Sequence, residues 1–363
     1  MKALTFLGAN TIKYQEVAKP IIKKPTDVVG KILWTTICGS DLHILKGDVP
    51  ESIAKANEQK GRGLILGHEG VIKVESVGSA VTKFKQGDVA IVSCISSCGS
   101  CYYCKKDLQS HCSNTEGTSG WILGHEIDGT QADYVRIPYA DNSLYKAPEN
   151  VPAESLLMLS DILPTAYEVG VLSGKVKEGD TVAIVGLGPV GLSALLTCKT
   201  LKPAKIIAID MDDARLEVAL RLGADEAMNP GKVDAKAQVH ALTKSDIRES
   251  GVDVAIECVG IPATFEMCQD LIGPGGAIAN VGVHGKSVSL KLEELWIKNI
   301  SISTGLVSAY STSDLLQKVV SGDLDPSVLA THHFKMSEME KAYEVFKNAA
   351  SNKAIKMVIE NDN

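Results

Sequence analysis

The sequence lacks any long run of basic residues, and its formal net charge is −7 at pH 7. Proteins that bind nucleic acid through its phosphates need clustered Lys and Arg, so we exclude nucleic acid as a partner. The sequence also lacks internal repeats and low-complexity tracts. Apolar residues make up 45% and charged residues 22% of the chain, which is typical of globular proteins. A length of 363 residues predicts two domains rather than one.

Long uninterrupted hydrophobic runs are absent as well. The apolar stretch at 3–9 is marginal for a signal peptide and polar residues follow it at once, so we predict a first β-strand there. Thr181–Cys198 carries no charge, but three glycines and a proline interrupt it where a strand would pass into a helix. A turn explains this stretch better than a bilayer span. We therefore predict no membrane partner and a cytoplasmic location.

Nine cysteines are present, and four of them crowd into one short segment: Cys98, Cys101, Cys104 and Cys112. Two successive Cys-x2-Cys steps and a fourth thiol can surround Zn²⁺ with no open position, which predicts a structural zinc site. An iron–sulfur site and a disulfide pair are the alternatives. Ser113 follows the last cysteine where ferredoxins have Pro, and this favours zinc. Cys94, just upstream, is predicted not to be a ligand.

Two secondary-structure patterns divide the chain. The first third consists of short runs rich in Gly, Val, Ile and Thr between turn residues, which predicts a mostly β region. Later, buried strands such as Thr181–Val185, Lys205–Asp210 and Ala277–Val283 alternate with helices, which predicts βαβ units and a parallel sheet. We predict an α/β protein in which a cofactor domain at 154–299 separates two parts of a β-rich domain, 1–153 (including the zinc lobe at 94–113) and 300–363.

A glycine-rich turn follows the strand at Thr181–Val185, with the sequence Gly186-Leu187-Gly188-Pro189-Val190-Gly191. Asp210 ends the next predicted strand, 19 residues after Gly191. This spacing is the dinucleotide-binding fingerprint, in which the glycines allow a tight turn, approach of the pyrophosphate and close helix–sheet packing. Asp210 would bind a ribose with free hydroxyls and repel a 2′-phosphate. An ordinary glycine-rich turn is the alternative, and we predict NAD.

Three more segments combine thiol, imidazole, hydroxyl and carboxylate groups: Cys38-Gly39-Ser40-Asp41-Leu42-His43, Gly67-His68-Glu69 and Ser160-Asp161-Ile162-Leu163-Pro164-Thr165. Each alone is a weak signal, because a lone buried His is more often a hydrogen-bonded core residue. Together with the cysteine lobe and the glycine-rich turn, in this order along nearly the whole chain, they resemble the zinc-dependent medium-chain alcohol dehydrogenases. The resemblance implies a GroES-like catalytic domain, a doubly wound Rossmann domain, and NAD-linked oxidation of a primary or secondary alcohol, or the reverse reduction.

The resemblance also implies a second, catalytic zinc in each chain. Its ligands would be Cys38, His68 and Asp161, with Glu69 beside the metal as a transient ligand. Asp41 would hold the His68 ring in the correct tautomer. Many relatives have Cys at the position of Asp161, and its sequence context is similar to the branch that contains secondary-alcohol and formaldehyde dehydrogenases. A carboxylate in place of a thiolate still suits zinc.

Further roles follow from the same resemblance. Ser40 and His43 would relay the alcohol proton to solvent, and Thr165 would contact the nicotinamide. His125, in a second Gly-His-Glu triplet, is an alternative to His68, but the order of the motifs favours His68. Trp121 lines the substrate pocket or is simply a buried aromatic. The family implies a homodimer or homotetramer. A polyol or amino-alcohol dehydrogenase and a non-catalytic protein that binds NAD and zinc are the alternative functions.

Overall fold

The computed structural model describes residues 1–59, 61–115, 117, 119–247 and 249–362. Their contacts divide the chain into two compact units. Unit 1 comprises Met1–Asp161, Ser308–Val320 and Pro326–Asn363, and unit 2 comprises Ile162–Val307 and Ser321–Asp325. The sequence-based boundaries, after residues 153 and 299, lie a few residues before these divisions. They remain a proposal about which parts of the chain fold together.

The strands fall into three sheets and are numbered along the chain: β1 Lys2–Gly8, β2 Thr11–Glu16, β3 Val28–Thr35, β4 Leu64–Ile65, β5 Gly70–Val77, β6 Val89–Val92, β7 Tyr134–Ile137, β8 Leu144–Lys146, β9 Thr181–Val185, β10 Lys205–Ile209, β11 Glu226–Met228, β12 Val252–Glu257, β13 Ile272–Asn280, β14 Ser301–Thr304, β15 Ala330–Lys335 and β16 Lys356–Glu360.

The α-helices are numbered in the same way: α1 Gly39–Lys46, α2 Pro50–Glu58, α3 Ala140–Ser143, α4 Ala153–Met158, α5 Ile162–Thr165, α6 Pro189–Lys199, α7 Asp213–Leu222, α8 Ala235–Thr243, α9 Pro262–Leu271, α10 Leu292–Leu295, α11 Thr312–Ser321, α12 Met339–Lys347 and α13 Ala349–Asn352. A π-helical segment, Ala166–Leu172, follows α5. Within the described parts of the chain, no helix combines the length and the apolar character that a membrane crossing requires.

Unit 1 is built mainly from β-sheet, as the short β-branched runs predict. A seven-stranded sheet has the order β15-β16-β3-β5-β6-β8, with β7 also paired to β3, and a smaller sheet has the order β2-β1-β4. Strand β5 pairs antiparallel with both β3 and β6, and its buried residues include Val71, Ile72 and Val74. Helix α12 contributes Tyr343 and Phe346 to the same core. The C-terminal segment therefore completes a core that the first 150 residues begin.

Unit 2 contains a six-stranded sheet of order β11-β10-β9-β12-β13-β14 in which every pairing is parallel. All five residues of β9 are buried, as expected for a central strand covered by helices on both faces. The order reverses between β9 and β12, which is the arrangement of a doubly wound sheet. The predicted α/β fold, with a β-rich part and a Rossmann-like part, is confirmed. The charge-free stretch Thr181–Cys198 consists of β9, a turn and most of α6.

Candidate active site

Cys38, His68, Glu69 and Asp161 form one cluster in unit 1, with one ligand atom of each within 4.8 Å of the others. Asp161 Oδ2 lies 3.6 Å from Cys38 Sγ and 3.2 Å from His68 Nε2. Tetrahedral zinc bonds sulfur at about 2.3 Å and nitrogen or oxygen at about 2.0–2.2 Å, which places its ligand atoms about 3.3–3.8 Å apart. One thiol, one imidazole and one carboxylate at these separations fit a zinc ion.

Each of these side chains comes from the end of a regular element. Cys38 is the N-cap residue of α1, directly after β3 and a short buried turn. His68 and Glu69 lie between β4 and β5, where Gly67 has φ +89°, a left-handed conformation that favours glycine. Ser160 ties the third segment in place, because its hydroxyl donates to Gly70 O at 3.1 Å and accepts from Gly70 N at 3.2 Å. These contacts bring three distant segments of the sequence together.

Asp41 lies behind the His68 ring. Its Oδ1 is 3.7 Å from His68 Nδ1, and its Oδ2 accepts the Cys38 backbone N–H at 2.9 Å. Asp41 is 1% exposed, and burial is the main reason that its pKa is raised. One carboxylate therefore accepts a hydrogen bond from the main chain of one predicted ligand and faces the imidazole of another, and its predicted role in setting the His68 tautomer stays a prediction.

Glu69 forms a buried ion pair that the sequence analysis missed. Lys356 Nζ donates to Glu69 Oε1 at 2.6 Å and to Ile37 O at 3.3 Å, and both charged side chains are 1% exposed. Burial raises the pKa of Glu69, and the ammonium of Lys356 opposes that rise. The other oxygen, Oε2, has no hydrogen-bond partner among the described residues. A charged residue within the apolar strand Lys356–Glu360 was the signal that could have identified Lys356.

The side chains around His68 favour its protonated form when no metal is bound. Burial lowers the pKa of His68, but the neighbouring Asp161 and Cys38 side chains raise it well above its usual value. The imidazole is thus stabilised as a cation by the same groups that would otherwise surround a metal ion. This competition between a proton and a metal is typical of zinc ligands.

His125, the alternative ligand, lies outside this group. Its ring stacks on Trp121 with centroids 4.3 Å apart, and its Nδ1 is 3.1 Å from Trp121 O. Trp121 also meets the His68 ring edge-on, with centroids 5.9 Å apart. The structure therefore brings His68, and not His125, to Cys38 and Asp161, and it places Trp121 beside the predicted metal ligand.

The predicted proton-relay residues are both on α1. The Ser40 hydroxyl oxygen is buried and has no hydrogen-bond partner among the described residues. His43 is exposed, and its Nδ1 is 3.0 Å from Asp48 Oδ2. Ser40 thus retains an unused hydroxyl, and His43 can exchange a proton with water. Thr165 is the last residue of α5 in unit 2, and its contact with a nicotinamide remains a prediction.

The cysteine lobe brings all four predicted sulfurs together. Cys104 Sγ is 3.5 Å from Cys101 Sγ and 4.0 Å from Cys98 Sγ, close to the spacing of about 3.8 Å expected around tetrahedral zinc. Backbone N–H groups donate to these sulfurs and lower the pKa of Cys101 to about 5. Cys94 is not part of the group. None of the nine cysteines forms a disulfide, so the disulfide alternative is not supported.

The glycine-rich turn joins β9 to α6. Gly186 has φ +94°, and a side chain at Gly191 would place its Cβ 1.8 Å from Gly186 O. The space around Gly188 is open except for Arg215 Nη1 at 3.9 Å. Asp210 Oδ2 accepts the Leu187 N–H at 2.6 Å, so the acidic residue is held beside the turn. The geometry leaves room for a pyrophosphate at the N-terminus of α6.

Comparisons with known proteins agree with this geometry. Residues 24–149 match the alcohol dehydrogenase GroES-like domain, and residues 189–321 match the zinc-binding dehydrogenase family. An alcohol dehydrogenase from Cupriavidus necator is 34% identical over 364 aligned residues, which cover 96% of this chain and 95% of the relative. The chain belongs to the zinc-dependent medium-chain alcohol dehydrogenase family. It is therefore an oxidoreductase that acts on alcohols, with zinc and NAD as its cofactors.

Solved structures place the chain in the same family. A zinc-dependent alcohol dehydrogenase 2 from Streptococcus pneumonia, in its apo form, is 51% identical with a TM-score of 0.90, and the match covers 100% of this chain and 99% of that one. An alcohol dehydrogenase from Thermus sp. ATN1 is 31% identical with a TM-score of 0.89, covering 99% and 100% of the two chains. The predicted family, fold and enzyme class are thus confirmed.

Proposed function

We propose that Cys38, His68 and Asp161 hold a catalytic zinc, and that this dehydrogenase oxidises a primary or secondary alcohol with NAD or runs the reverse reduction. The observation that carries the proposal is the convergence of three side chains. Asp161 Oδ2 lies 3.6 Å from Cys38 Sγ and 3.2 Å from His68 Nε2. A non-catalytic relative would be expected to have lost these ligands, whereas this chain retains all three.

The residues around the cluster have separate roles in the reaction. Zinc, when bound, supplies a Lewis acid that polarises the alcohol or carbonyl oxygen, and the nicotinamide takes up or delivers the hydride. Ser40 offers a buried hydroxyl with no partner among the described residues as the first proton carrier. His43, exposed and paired with Asp48, passes the proton to water. Asp41 orients the His68 ring. Lys356 holds Glu69 beside the metal site, where Glu69 would be a transient ligand.

Three protein ligands leave the fourth position of a tetrahedral zinc for a substrate, whereas the four thiols of the lobe fill theirs. We therefore propose a catalytic metal at the first cluster and a structural metal at the lobe. The lobe sulfurs belong to a compact loop from Cys98 to Cys112, and the backbone N–H groups of Ser100 and Cys101 both donate to Cys98 Sγ. These bonds stabilise thiolate ligands, as expected for a metal that organises its own loop.

Asp210 supports NAD over NADP. Its carboxylate is fixed by the backbone N–H groups of Leu187 and Asp212, at 2.6 and 2.8 Å, at the end of β10. A fixed negative charge at this position favours a ribose with free hydroxyls and repels a phosphate. Arg215 Nη1 is 4.0 Å from the same carboxylate and moderates that repulsion.

An amino alcohol is the second candidate substrate. An L-threonine 3-dehydrogenase from Pyrococcus abyssi is 31% identical over 99% of this chain and 97% of its own length. A panel of simple alcohols, diols and L-threonine, followed by NADH absorbance, separates the two candidates. Simple primary or secondary alcohols are expected to give the highest kcat/KM. A preference for L-threonine would replace the first proposal.

Metal analysis tests the ligand assignment. We expect the parent enzyme to contain two zinc per chain and Cys38→Ser to contain one, with loss of alcohol oxidation, because the lobe sulfurs are untouched. Cys94→Ser is a matched control, since Cys94 lies outside both metal clusters, and it should keep both zinc ions. Two zinc per chain in Cys38→Ser would refute the assignment of Cys38.

We also propose a homodimer or homotetramer in a reducing compartment such as the cytoplasm. Strand β14 ends the parallel sheet of unit 2, and Ile302 in its centre is 40% exposed. An edge strand of this kind can pair with a second copy and extend the sheet. Nine cysteines without a disulfide are consistent with a reducing environment. Light scattering during size-exclusion chromatography should give a mass at least twice 38.6 kDa, and a monomer at all concentrations would refute the assembly.

A further inference from the structure

A row of buried polar side chains, Tyr343 and Gln131, is hydrogen-bonded to Asp41. Gln131 Nε2 donates to Asp41 Oδ2 at 3.1 Å and to Thr36 O at 3.1 Å. Gln131 Oε1 accepts the hydroxyl hydrogen of Tyr343 at 2.9 Å. Gln131 and Tyr343 are both fully buried. The row runs from Tyr343 on α12, through Gln131 just before β7, to Asp41 on α1, and Asp41 faces His68.

The hydrogen-bond partners determine how the Gln131 amide is oriented. Thr36 O is an acceptor only and needs the amide nitrogen, which also lies 3.1 Å from Asp41 Oδ2, an oxygen that already accepts the Cys38 N–H. The amide oxygen then needs a donor, and the Tyr343 hydroxyl supplies it. Burial raises the pKa of Tyr343 well above its usual value, so this hydroxyl stays protonated. A flipped amide would set its oxygen against two acceptors and its nitrogen against the phenol.

The fixed amide in turn fixes the carboxylate. Asp41 Oδ2 is held from two sides, by Gln131 Nε2 and by the Cys38 backbone N–H. Asp41 Oδ1 has no hydrogen-bond partner among the described residues and lies 3.7 Å from His68 Nδ1. The lone pairs of Asp41 Oδ1 are therefore available to accept a hydrogen bond from His68 Nδ1. An acceptor at Nδ1 sets the tautomer that leaves Nε2 free to bind metal.

We propose that Gln131 and Tyr343 are positioning residues of the catalytic metal site, which act on His68 through Asp41. The proposal rests on the proposed function, because it requires His68 to be a zinc ligand. It assigns helix α12 a part in metal binding through Tyr343, which is 212 residues along the chain from Gln131. Neither side chain is part of the metal cluster itself. Tyr343 orients the Gln131 amide, and Gln131 orients the Asp41 carboxylate.

Metal retention measures this role independently of turnover. The holoenzyme is mixed with a chromogenic chelator, and zinc release is followed for the parent, Tyr343→Phe and Gln131→Met. Loss of a supporting hydrogen bond to a metal ligand typically costs 10- to 100-fold in metal affinity. We expect release from the catalytic site to quicken about 10-fold in Gln131→Met and by a smaller factor in Tyr343→Phe, with the slower lobe zinc unchanged. The cobalt-substituted proteins should show shifted ligand-field bands in both variants.

Tyr145→Phe is the matched control. The Tyr145 hydroxyl also donates a partly buried hydrogen bond, to Ala309 O at 2.6 Å, but it lies in a different part of unit 1. It should lose a similar amount of thermal stability without any change in zinc release or cobalt spectrum. Should Gln131→Met fail to fold, Tyr343→Phe still decides, since it removes one oxygen atom. Parental release rates and cobalt spectra in Tyr343→Phe would overturn the proposal. Failure of the proposed function is distinguished by Cys38→Ser retaining two zinc ions.

Discussion

Replacing Lys356 by Met tests whether the buried ion pair supports the active-site cluster. The substitution keeps the length and the apolar part of the side chain but removes the ammonium. Glu69 Oε1 then loses its partner at 2.6 Å, while its Oε2 already has no hydrogen bond among the described residues. Lys356→Met would thus leave a buried carboxylate without hydrogen bonds from side chains on the described part of the chain.

The size of the effect follows from burial. Both members of the pair are 1% exposed, so solvent cannot compensate for the missing charge. Removing one partner of a buried ion pair costs about 3–5 kcal/mol, whereas replacing both by apolar residues of similar volume is often neutral. We therefore expect Lys356→Met to lower the free energy of unfolding by about 3–5 kcal/mol, and Glu69→Leu/Lys356→Met to recover most of that loss.

Urea unfolding at a fixed excess of zinc, followed by tryptophan fluorescence from Trp34 and Trp121 in unit 1 and Trp296 in unit 2, measures the difference. Lys347→Met is the matched control, because its partner Glu344 is as close, at 2.7 Å, but the pair is 37% and 66% exposed. Such a surface pair contributes about 0–1 kcal/mol. If Lys356→Met unfolds at the same urea concentration as Lys347→Met, or if the double variant is less stable than Lys356→Met, the reasoning about the buried pair is refuted.

Three further substitutions test the cofactor site and the proton relay. Gly191→Ala should abolish NAD binding in calorimetry, because the new Cβ would lie 1.8 Å from Gly186 O. Gly285→Ala serves as a control for substitution of a surface glycine, because nothing lies within 4 Å of the added Cβ there. Asp210→Gly should lower the ratio of kcat/KM for NAD to that for NADP by about tenfold, which corresponds to about 1.4 kcal/mol, and an unchanged ratio would refute the assignment. His43→Gln should slow alcohol oxidation most at low pH, where proton release is hardest, and an equal effect at all pH values would refute the relay.

Local signals made the cofactor domain predictable. Strand β9 was predicted at Thr181–Val185 and is observed there, because a fully buried parallel strand followed by a glycine turn has few other interpretations. Strand β13 was predicted at 277–283 but spans Ile272–Asn280. Its first half contains Gly273, Pro274 and two more glycines, residues that disfavour strands, and the pairing with β12 is irregular there, passing from Ile272 directly to Ala277. Tertiary contacts override propensity at such positions.

The metal ligands were predictable for a different reason. Cys38, His68 and Asp161 stand in short segments whose combination resembles a known family, although nothing in their spacing shows that they meet. Lys356, Gln131 and Tyr343 carried no such pattern. Lys356 lies 287 residues from the Glu69 carboxylate that it contacts. Their roles depend on which buried polar atoms remain without partners, and that inventory exists only once the chain is folded.

The charge of the cluster explains why these supporting residues matter. Cys38, Asp41, Glu69 and Asp161 are four side chains that can carry a negative charge in a largely buried region, and Lys356 forms an ion pair with Glu69. Buried carboxylates without compensating cations are strongly unfavourable. A bound divalent cation would add two positive charges to the one of Lys356, so three positive charges would face the four negative charges of the three carboxylates and a Cys38 thiolate. Asp161 in place of a cysteine keeps this balance, since carboxylate and thiolate carry the same charge, and so the substitution alters the hardness of the ligand rather than the electrostatics of the site.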